Sequence, residues 1–126
     1  MAFFSLTQEL AMDLGTANTI IINNDKIVVD EPSIVALDRK SEKLVAVGHE
    51  AKAMQGRNPE NIRIVRPLRD GVIADFYAAE QMMRAMIKMA SSERSWFTPQ
   101  LRMVVCIPSG STEVELRAVR DSAEHA

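Results

Sequence analysis

The sequence has a single cysteine, Cys106, so it can form no internal disulfide bond, and a reducing cytoplasm is the simplest compartment. No apolar run approaches the roughly 18 residues of a transmembrane helix. Residues 1–10 carry no lysine or arginine, which a signal peptide needs in its basic first region. The formal net charge of −2 favours neither nucleic acid nor an acidic substrate as a partner.

Several sequence motifs of nucleotide and metal chemistry are also absent. The chain contains no G-x-x-x-x-G-K-[ST], no G-x-G-x-x-G and no H-E-x-x-H. His49 and His125 have no companions at ligand spacing, so we expect no metal site built from protein ligands alone. Cys106 lies in an apolar run, where we expect an inert core residue. No Ser/His/Asp set is suggested.

The chain of 126 residues is long enough for one modest folded domain. Its 47% hydrophobic and 25% charged residues are typical of such a domain. The first part of the chain predicts a three-stranded meander, which Glu31-Pro32-Ser33 breaks because proline cannot donate to a ladder. A second, smaller hairpin and a short helix follow. The predicted strands are 9–13, 19–23 and 27–30 in the meander and 34–38 and 44–47 in the hairpin, and the short helix is 50–54.

The second half predicts α/β structure. Asp75 is a candidate N-cap for a helix from Phe76 to about Ala90. Residues 102–107 form a continuous apolar run, which predicts a central strand covered on both faces. A capping box, Thr112-x-x-Glu115, predicts a helix to the end of the chain. The segment 33–75 has the character of an insertion between the meander and the long helix. The apolar positions of the long helix are Phe76, Ala79, Met83, Met86, Ile87 and Ala90.

The most informative segment is the run from Asp13 to Asn18, where an apolar strand meets an acid, a glycine and small polar residues. Gly15 lets the backbone approach a ligand closely, and the amides of Thr16, Ala17 and Asn18 would point at a phosphate. Asp13 would face Mg²⁺ through water. An ordinary tight hairpin with a glycine turn explains the same pattern, so the residues alone leave both interpretations open.

Two adjacent aromatics, Trp96 and Phe97, stand in a polar stretch. They suit a loop that dips into a membrane interface, but composition alone favours a loop anchored on its own domain. Phe3 and Phe4 form a second small apolar group, without the basic face of an interfacial helix.

The last helix has one apolar face that we expect in the core, formed by Leu116, Val119, Ala123 and Ala126. Val114 lies on the other side and is either an ordinary exposed residue or part of a self-association surface. Arginines 57, 63, 66 and 69 are close in sequence, and a solvated face or a protein contact explains them better than nucleic acid does.

The segment Asp13-Leu14-Gly15-Thr16-Ala17-Asn18-Thr19 resembles the first phosphate loop of the actin-like ATPases. Longer segments follow in order: DEPSIVA from residue 30, AVGHEAK from residue 46, IVRPLRDGVIADF from residue 64 and CIPSG from residue 106. Together they resemble the MreB family of bacterial actins, from about Leu10 to the end of the chain.

The resemblance implies an actin-like (ribonuclease H-like) ATPase domain that is incomplete and carries a small α+β insertion subdomain. Residues 1–32 and 76–126 would belong to subdomain IA, and residues 33–75 to subdomain IB. The implied cofactors are ATP and Mg²⁺, with Asp13, Gly15, Thr16, Ala17 and Asn18 at the phosphates and Asp13 also at the metal.

The resemblance also implies a function and partners. Family members form membrane-associated antiparallel filaments on the inner face of the plasma membrane and organise peptidoglycan synthesis with the cell-wall elongation machinery. Trp96 and Phe97 match the family's membrane-insertion loop, and Phe3 and Phe4 are candidates for the same contact. The helix from Thr112 matches the one that pairs protofilaments, which would place Val114 in that contact. No nucleic acid is expected.

The family's catalytic glutamate, its second phosphate loop and its adenosine-binding glycines have no counterpart in this sequence. We therefore expect the chain as given not to hydrolyse ATP and to bind nucleotide weakly or undetectably. Two alternatives stay open: another ATPase of the actin, chaperone and sugar-kinase superfamily, or a stand-alone module that binds filaments.

Overall fold

The computed structural model describes residues 7–90 and 100–106, together with the helical residues 113, 116, 117 and 119–121. The described residues between 113 and 121 are helical, as predicted for the segment after Thr112, whereas the capping box lies outside the described residues. Elsewhere in the described chain there are nine strands and two helices. In chain order they are β1 (Thr7–Leu14), β2 (Asn18–Asn23), β3 (Lys26–Pro32), β4 (Val35–Asp38), β5 (Leu44–Val47), α1 (His49–Met54), β6 (Ile62–Val65), β7 (Leu68–Arg69), β8 (Val72–Ile73), α2 (Phe76–Ala90) and β9 (Gln100–Cys106).

The larger sheet has the order β3-β2-β1-β9. Strands β1, β2 and β3 are antiparallel neighbours, which confirms the predicted meander, and β9 lies parallel to β1. Strand β3 runs on through Pro32, which we expected to break it. Proline is tolerated there because β3 is an edge strand of the described sheet, so the missing N–H leaves no ladder bond unmade.

Strand β9 differs from its prediction. Within the described residues it is the other edge strand of the sheet, and only one of its faces is covered. Met103 and Val105 pack against the core, while Val104 is 60% exposed and Cys106 is exposed. Alternate side chains of a strand point to opposite faces, and no described helix packs on the second face. The expectation that Cys106 is an inert core residue is therefore wrong.

Helix α2 covers the inner face of the larger sheet. Asp75 caps it as predicted, because its Oδ1 accepts the Ala78 N–H at 2.9 Å. The predicted apolar face is confirmed in its centre, but Phe76 in the first turn is 50% exposed. In the last helix Val119 is buried, whereas Leu116, which we also expected in the core, is 42% exposed. The buried residues of α2 are Ala78, Ala79, Met82, Met83, Met86 and Ile87.

The segment between the meander and α2 forms a second, antiparallel sheet with the order β5-β4-β6 and a two-stranded hairpin, β7–β8. The predicted hairpin of β4 and β5 and the short helix α1 are confirmed, whereas β6, β7 and β8 were not predicted. The apolar core is continuous with this segment, since Val35, Leu37 and Val47 join the cluster around α2. The division into subdomains IA (1–32 and 76–126) and IB (33–75) stays a prediction.

Candidate phosphate-binding site

The turn between β1 and β2 consists of Gly15, Thr16 and Ala17 and is called here the phosphate turn. A Cβ added to Gly15 would lie less than 3.0 Å from the carbonyl oxygen of Asn18. Real Cβ atoms essentially never come within 3.0 Å of such a neighbour. The backbone at this point is therefore too compact for any side chain, and glycine is required by close approach. This tightness brings the amides of the turn close together, which an anion site needs.

Ser33 and Thr19 support the phosphate turn from beneath. The Ser33 hydroxyl donates to the carbonyl oxygen of Gly15 at 2.6 Å, and the Ser33 N–H donates to the carbonyl oxygen of Ala17 at 2.8 Å. The hydroxyls of Ser33 and Thr19 are 2.7 Å apart, and both residues are fully buried. Sequence reasoning missed both residues, because it treated Ser33 only as part of a strand break.

Thr16 connects the phosphate turn to a distant part of the chain. Its Oγ1 accepts the N–H of Gly71 at 2.8 Å. Gly71 lies with Asp70 in the two-residue turn of the β7–β8 hairpin, where both residues have positive φ, 53° and 77°. Because Oγ1 is the acceptor in this bond, the hydroxyl proton of Thr16 is free to donate to another group, such as a phosphate oxygen.

The backbone amides of Thr16 and Ala17 are available to a ligand. Within the described part of the chain, neither N–H donates a hydrogen bond to the protein, and both residues are exposed. Asn18, the first residue of β2, is exposed as well. The predicted phosphate-binding residues Gly15, Thr16, Ala17 and Asn18 thus lie together in one accessible turn.

Asp13 lies one residue before the end of β1, on the outer face of the larger sheet. It is exposed, it stands opposite Ile20 of β2 and Cys106 of β9, and it forms no ion pair among the described residues. No group of three or more metal-ligating side chains occurs in the described ranges. A lone carboxylate suits Mg²⁺, which keeps most of its waters and takes its other ligands from nucleotide phosphates. The donor set therefore fits Mg²⁺ bound together with a nucleotide.

Two side-chain contacts involve the segment that forms the second sheet. The Glu31 carboxylate, at the end of β3, contacts His49 at the start of α1. Gly48, with φ of 66°, lies beneath Glu31, where an added Cβ would be 2.6 Å from Oε1. Arg63 of β6 donates to Glu42 at 2.5 Å, and this hydrogen bond raises the pKa of the Arg63 guanidinium. Of the four clustered arginines, Arg63 thus has a structural partner.

The other predicted contact residues concern the membrane and the protofilament pair. Phe3, Phe4, Trp96, Phe97 and Val114 lie outside the described residues, so the predicted membrane and protofilament contacts remain predictions. Among the described helices, none combines the length and the apolar character needed to cross a membrane.

Known proteins match almost the whole chain. A model of the MreB/Mbl protein family matches residues 7–126. The chain belongs to this family. It is 48% identical over 125 residues to the cell shape-determining protein MreB of Escherichia coli strain K12 and 45% identical over 118 residues to the cell shape-determining protein Mbl of Bacillus subtilis. These alignments cover 95% and 93% of this chain but 36% and 35% of the relatives. The chain therefore spans about a third of their length.

Solved structures agree with this family membership. MreB5 of Spiroplasma citri bound to ADP superimposes with a TM-score of 0.78 at 33% identity, covering 94% of this chain and 35% of that one. The same protein bound to AMPPNP gives a TM-score of 0.77. The prediction of an incomplete actin-like α/β domain is confirmed. Membership in the MreB/Mbl family also decides against the other ATPases of the superfamily.

Proposed function

We propose that this MreB/Mbl chain supplies one side of an ATP·Mg²⁺ site in a filament-forming protein that determines rod shape. The observation that carries the proposal is the phosphate turn, whose carbonyls bond to Ser33 while the amides of Thr16 and Ala17 have no described protein partner. The Spiroplasma citri relative bound to ADP and to AMPPNP supports the same assignment.

Each residue of the turn has a distinct role in this proposal. The amides of Thr16, Ala17 and Asn18 donate to phosphate oxygens, and Gly15 keeps the turn tight enough for them to converge. The Thr16 hydroxyl adds a further donor. Asp13 orients the waters of Mg²⁺, which neutralises phosphate charge when it is bound.

A nucleotide-binding assay with matched carboxylate variants tests this proposal. Binding of a fluorescent ADP derivative is followed by anisotropy, with Mg²⁺ and with EDTA. Asp13→Ala should remove the Mg²⁺-dependent part of binding, whereas Asp30→Ala, which removes an exposed carboxylate of β3, should not. Equal behaviour of the two variants would count against a metal role for Asp13.

We also propose that Phe3, Phe4, Trp96 and Phe97 contact the inner face of the plasma membrane. In the larger sheet Thr7 pairs with Gln100, at the starts of two adjacent parallel strands. Phe4 and Phe97 each precede one of these paired residues by three positions, a span of at most about 11 Å of extended chain. The segments that carry the two aromatic pairs therefore precede β1 and β9, whose first residues lie side by side at the end of the sheet opposite the phosphate turn, and this connectivity supports a joint membrane contact.

Liposome co-sedimentation tests the membrane contact. Trp96→Ser combined with Phe97→Ser should reduce the fraction that pellets with anionic vesicles. Phe76→Ser is the matched control, because it removes an aromatic side chain that is 50% exposed at the start of α2. A pelleted fraction that falls equally in both variants would exclude a specific role for Trp96 and Phe97.

The remaining part of the proposal concerns assembly. Filaments would pair antiparallel through the helix predicted from Thr112, in which Val114 is expected, and would organise peptidoglycan synthesis with the cell-wall elongation machinery in the cytoplasm. The 48% identity to a cell shape-determining protein supports this assignment. Val114→Asp in a full-length member of the family should leave single protofilaments intact and abolish their pairing in electron micrographs, because a charge would be buried in the contact.

A further inference from the structure

Ser33 stands out among the residues near the phosphate turn because it donates twice to the turn. Its hydroxyl bonds to the Gly15 carbonyl and its N–H to the Ala17 carbonyl. It is also the residue at which the chain leaves β3 for the second sheet, and it is fully buried. A buried residue of this kind touches no nucleotide, so any role at the site must act through the turn.

The direction of the hydroxyl protons follows from the acceptors. A serine hydroxyl has one proton, and the Gly15 carbonyl can only accept, so the Ser33 proton points to Gly15. The Thr19 hydroxyl therefore donates to Ser33 Oγ across their 2.7 Å contact. The result is a buried chain from Thr19 to Ser33 to Gly15 in which each hydroxyl has a defined orientation.

These bonds fix the orientation of two peptide planes. The described chain has no cis peptide bond, and the C=O and N–H of a trans peptide point in opposite directions. The Gly15 carbonyl shares its plane with the Thr16 N–H, and the Ala17 carbonyl shares its plane with the Asn18 N–H. Because both carbonyls point at Ser33, the two N–H groups point away from it. A flipped Gly15–Thr16 plane would instead present an oxygen to a phosphate.

We propose that Ser33 is a positioning residue for the nucleotide phosphates, which acts by turning the amides of Thr16 and Asn18 toward the ligand. The proposal rests on the function proposed above. Thr19 orients the Ser33 hydroxyl but does not itself contact the turn carbonyls. Loss of the Ser33 hydroxyl should therefore disturb the turn directly, whereas loss of the Thr19 hydroxyl should leave the bond from Ser33 to Gly15 in place.

Two nearly isosteric substitutions separate positioning from simple structural support. Ser33→Ala removes the bond to Gly15 and keeps the backbone bond to Ala17. Thr19→Val removes only the bond between the two hydroxyls. Ser33→Thr restores the hydroxyl as a rescue variant, at the cost of an added methyl in a buried site. Thermal unfolding of all three shows whether each variant folds and how much stability it loses.

The experiment uses the ¹⁵N-labelled chain with Mg²⁺ and ADP. Ser33→Ala should weaken ADP binding by about three- to tenfold, the effect of losing one hydrogen bond that preorganises the site. The order parameter of the Thr16 amide should also fall in the free protein. Thr19→Val should bind ADP within about twofold of the original chain, because the bond from Ser33 to Gly15 stays in place and the effect on the turn is well below that of one lost hydrogen bond. Ser33→Thr should recover most of the binding.

Unchanged affinity and unchanged Thr16 order in Ser33→Ala would overturn the role of Ser33 and leave the proposed function standing. Equal weakening in Ser33→Ala and Thr19→Val, in step with their lost stability, would also overturn it, because both would then act only through folding. If the original chain binds no ADP, the proposed function itself fails for this chain, and with it the positioning role. The affinity of the unsubstituted chain distinguishes these two failures.

Discussion

Replacing Gly15 with alanine should break the phosphate turn, because the new Cβ would meet the carbonyl oxygen of Asn18 inside 3.0 Å. That neighbour is backbone and cannot move aside as a flexible side chain would, so β1 and β2 must separate at the turn. Overpacking of this kind costs about 1–3 kcal/mol of unfolding free energy. In urea denaturation the midpoint should fall, and the Kd for ADP should rise at least about tenfold because the amides no longer converge.

A second glycine provides the matched control. Gly56 has φ of 86° and open space around an added Cβ, so Gly56→Ala tests backbone strain alone, which costs about 1–2 kcal/mol. Gly56→Ala should lose stability without weakening ADP binding. The reasoning is refuted if Gly15→Ala binds ADP as the original chain does, or if both variants lose affinity to the same extent.

Three further predictions concern the fold. Met82→Ala should lower the free energy of unfolding by about 2–5 kcal/mol, because Met82 is a fully buried residue of α2, whereas Met89→Ala at an exposed position of the same helix should cost far less in the same urea titration. Asp75→Ala should cost about 1 kcal/mol by removing the N-cap of α2, and Asp75→Asn should recover most of it in thermal unfolding. Hydrogen bonds from the Ser41 and Lys40 amides lower the pKa of Asp38 below 3.8, so its stabilising effect is complete above that value and is lost as the pH falls through the lowered pKa. The difference in urea midpoint between the original chain and Asp38→Ala should therefore stay constant from pH 7 to about pH 5 and shrink toward pH 3.

Local patterns predicted the parts of the fold whose causes are local. The meander follows from short apolar runs separated by turn residues, and α2 follows from Asp75 and a helical apolar period. The strands β6, β7 and β8 were missed because they are only two to four residues long, and because β6 pairs with β4, which lies earlier in the chain beyond β5 and α1. The exposure of Val104 was missed for a related reason: an apolar strand shows that coverage is needed, but not whether a neighbouring element in this chain provides it.

In the candidate site, too, the residues with local signals were predicted and those with distant contacts were missed. The residues from Asp13 to Asn18 were predicted because glycine, small polar residues and an acid are adjacent in sequence. Ser33, Thr19 and Gly71 were not, because Ser33 and Gly71 reach the turn from 18 and 55 positions away and Thr19 acts only through Ser33. Nothing in the sequence alone indicates which buried hydroxyl will pair with which backbone carbonyl, since that depends on the register of β2 with β3.

The most direct measurement of the central claim is an NMR titration of the ¹⁵N-labelled chain with ADP in the presence of Mg²⁺. The account predicts that the amide resonances of Thr16, Ala17 and Asn18 shift together, with a Kd on the order of millimolar for one side of a cleft. It also predicts that Gly15→Ala abolishes these shifts. Shifts confined to other parts of the chain, or no shift at saturating ADP, would contradict the assignment of this turn as a phosphate-binding site.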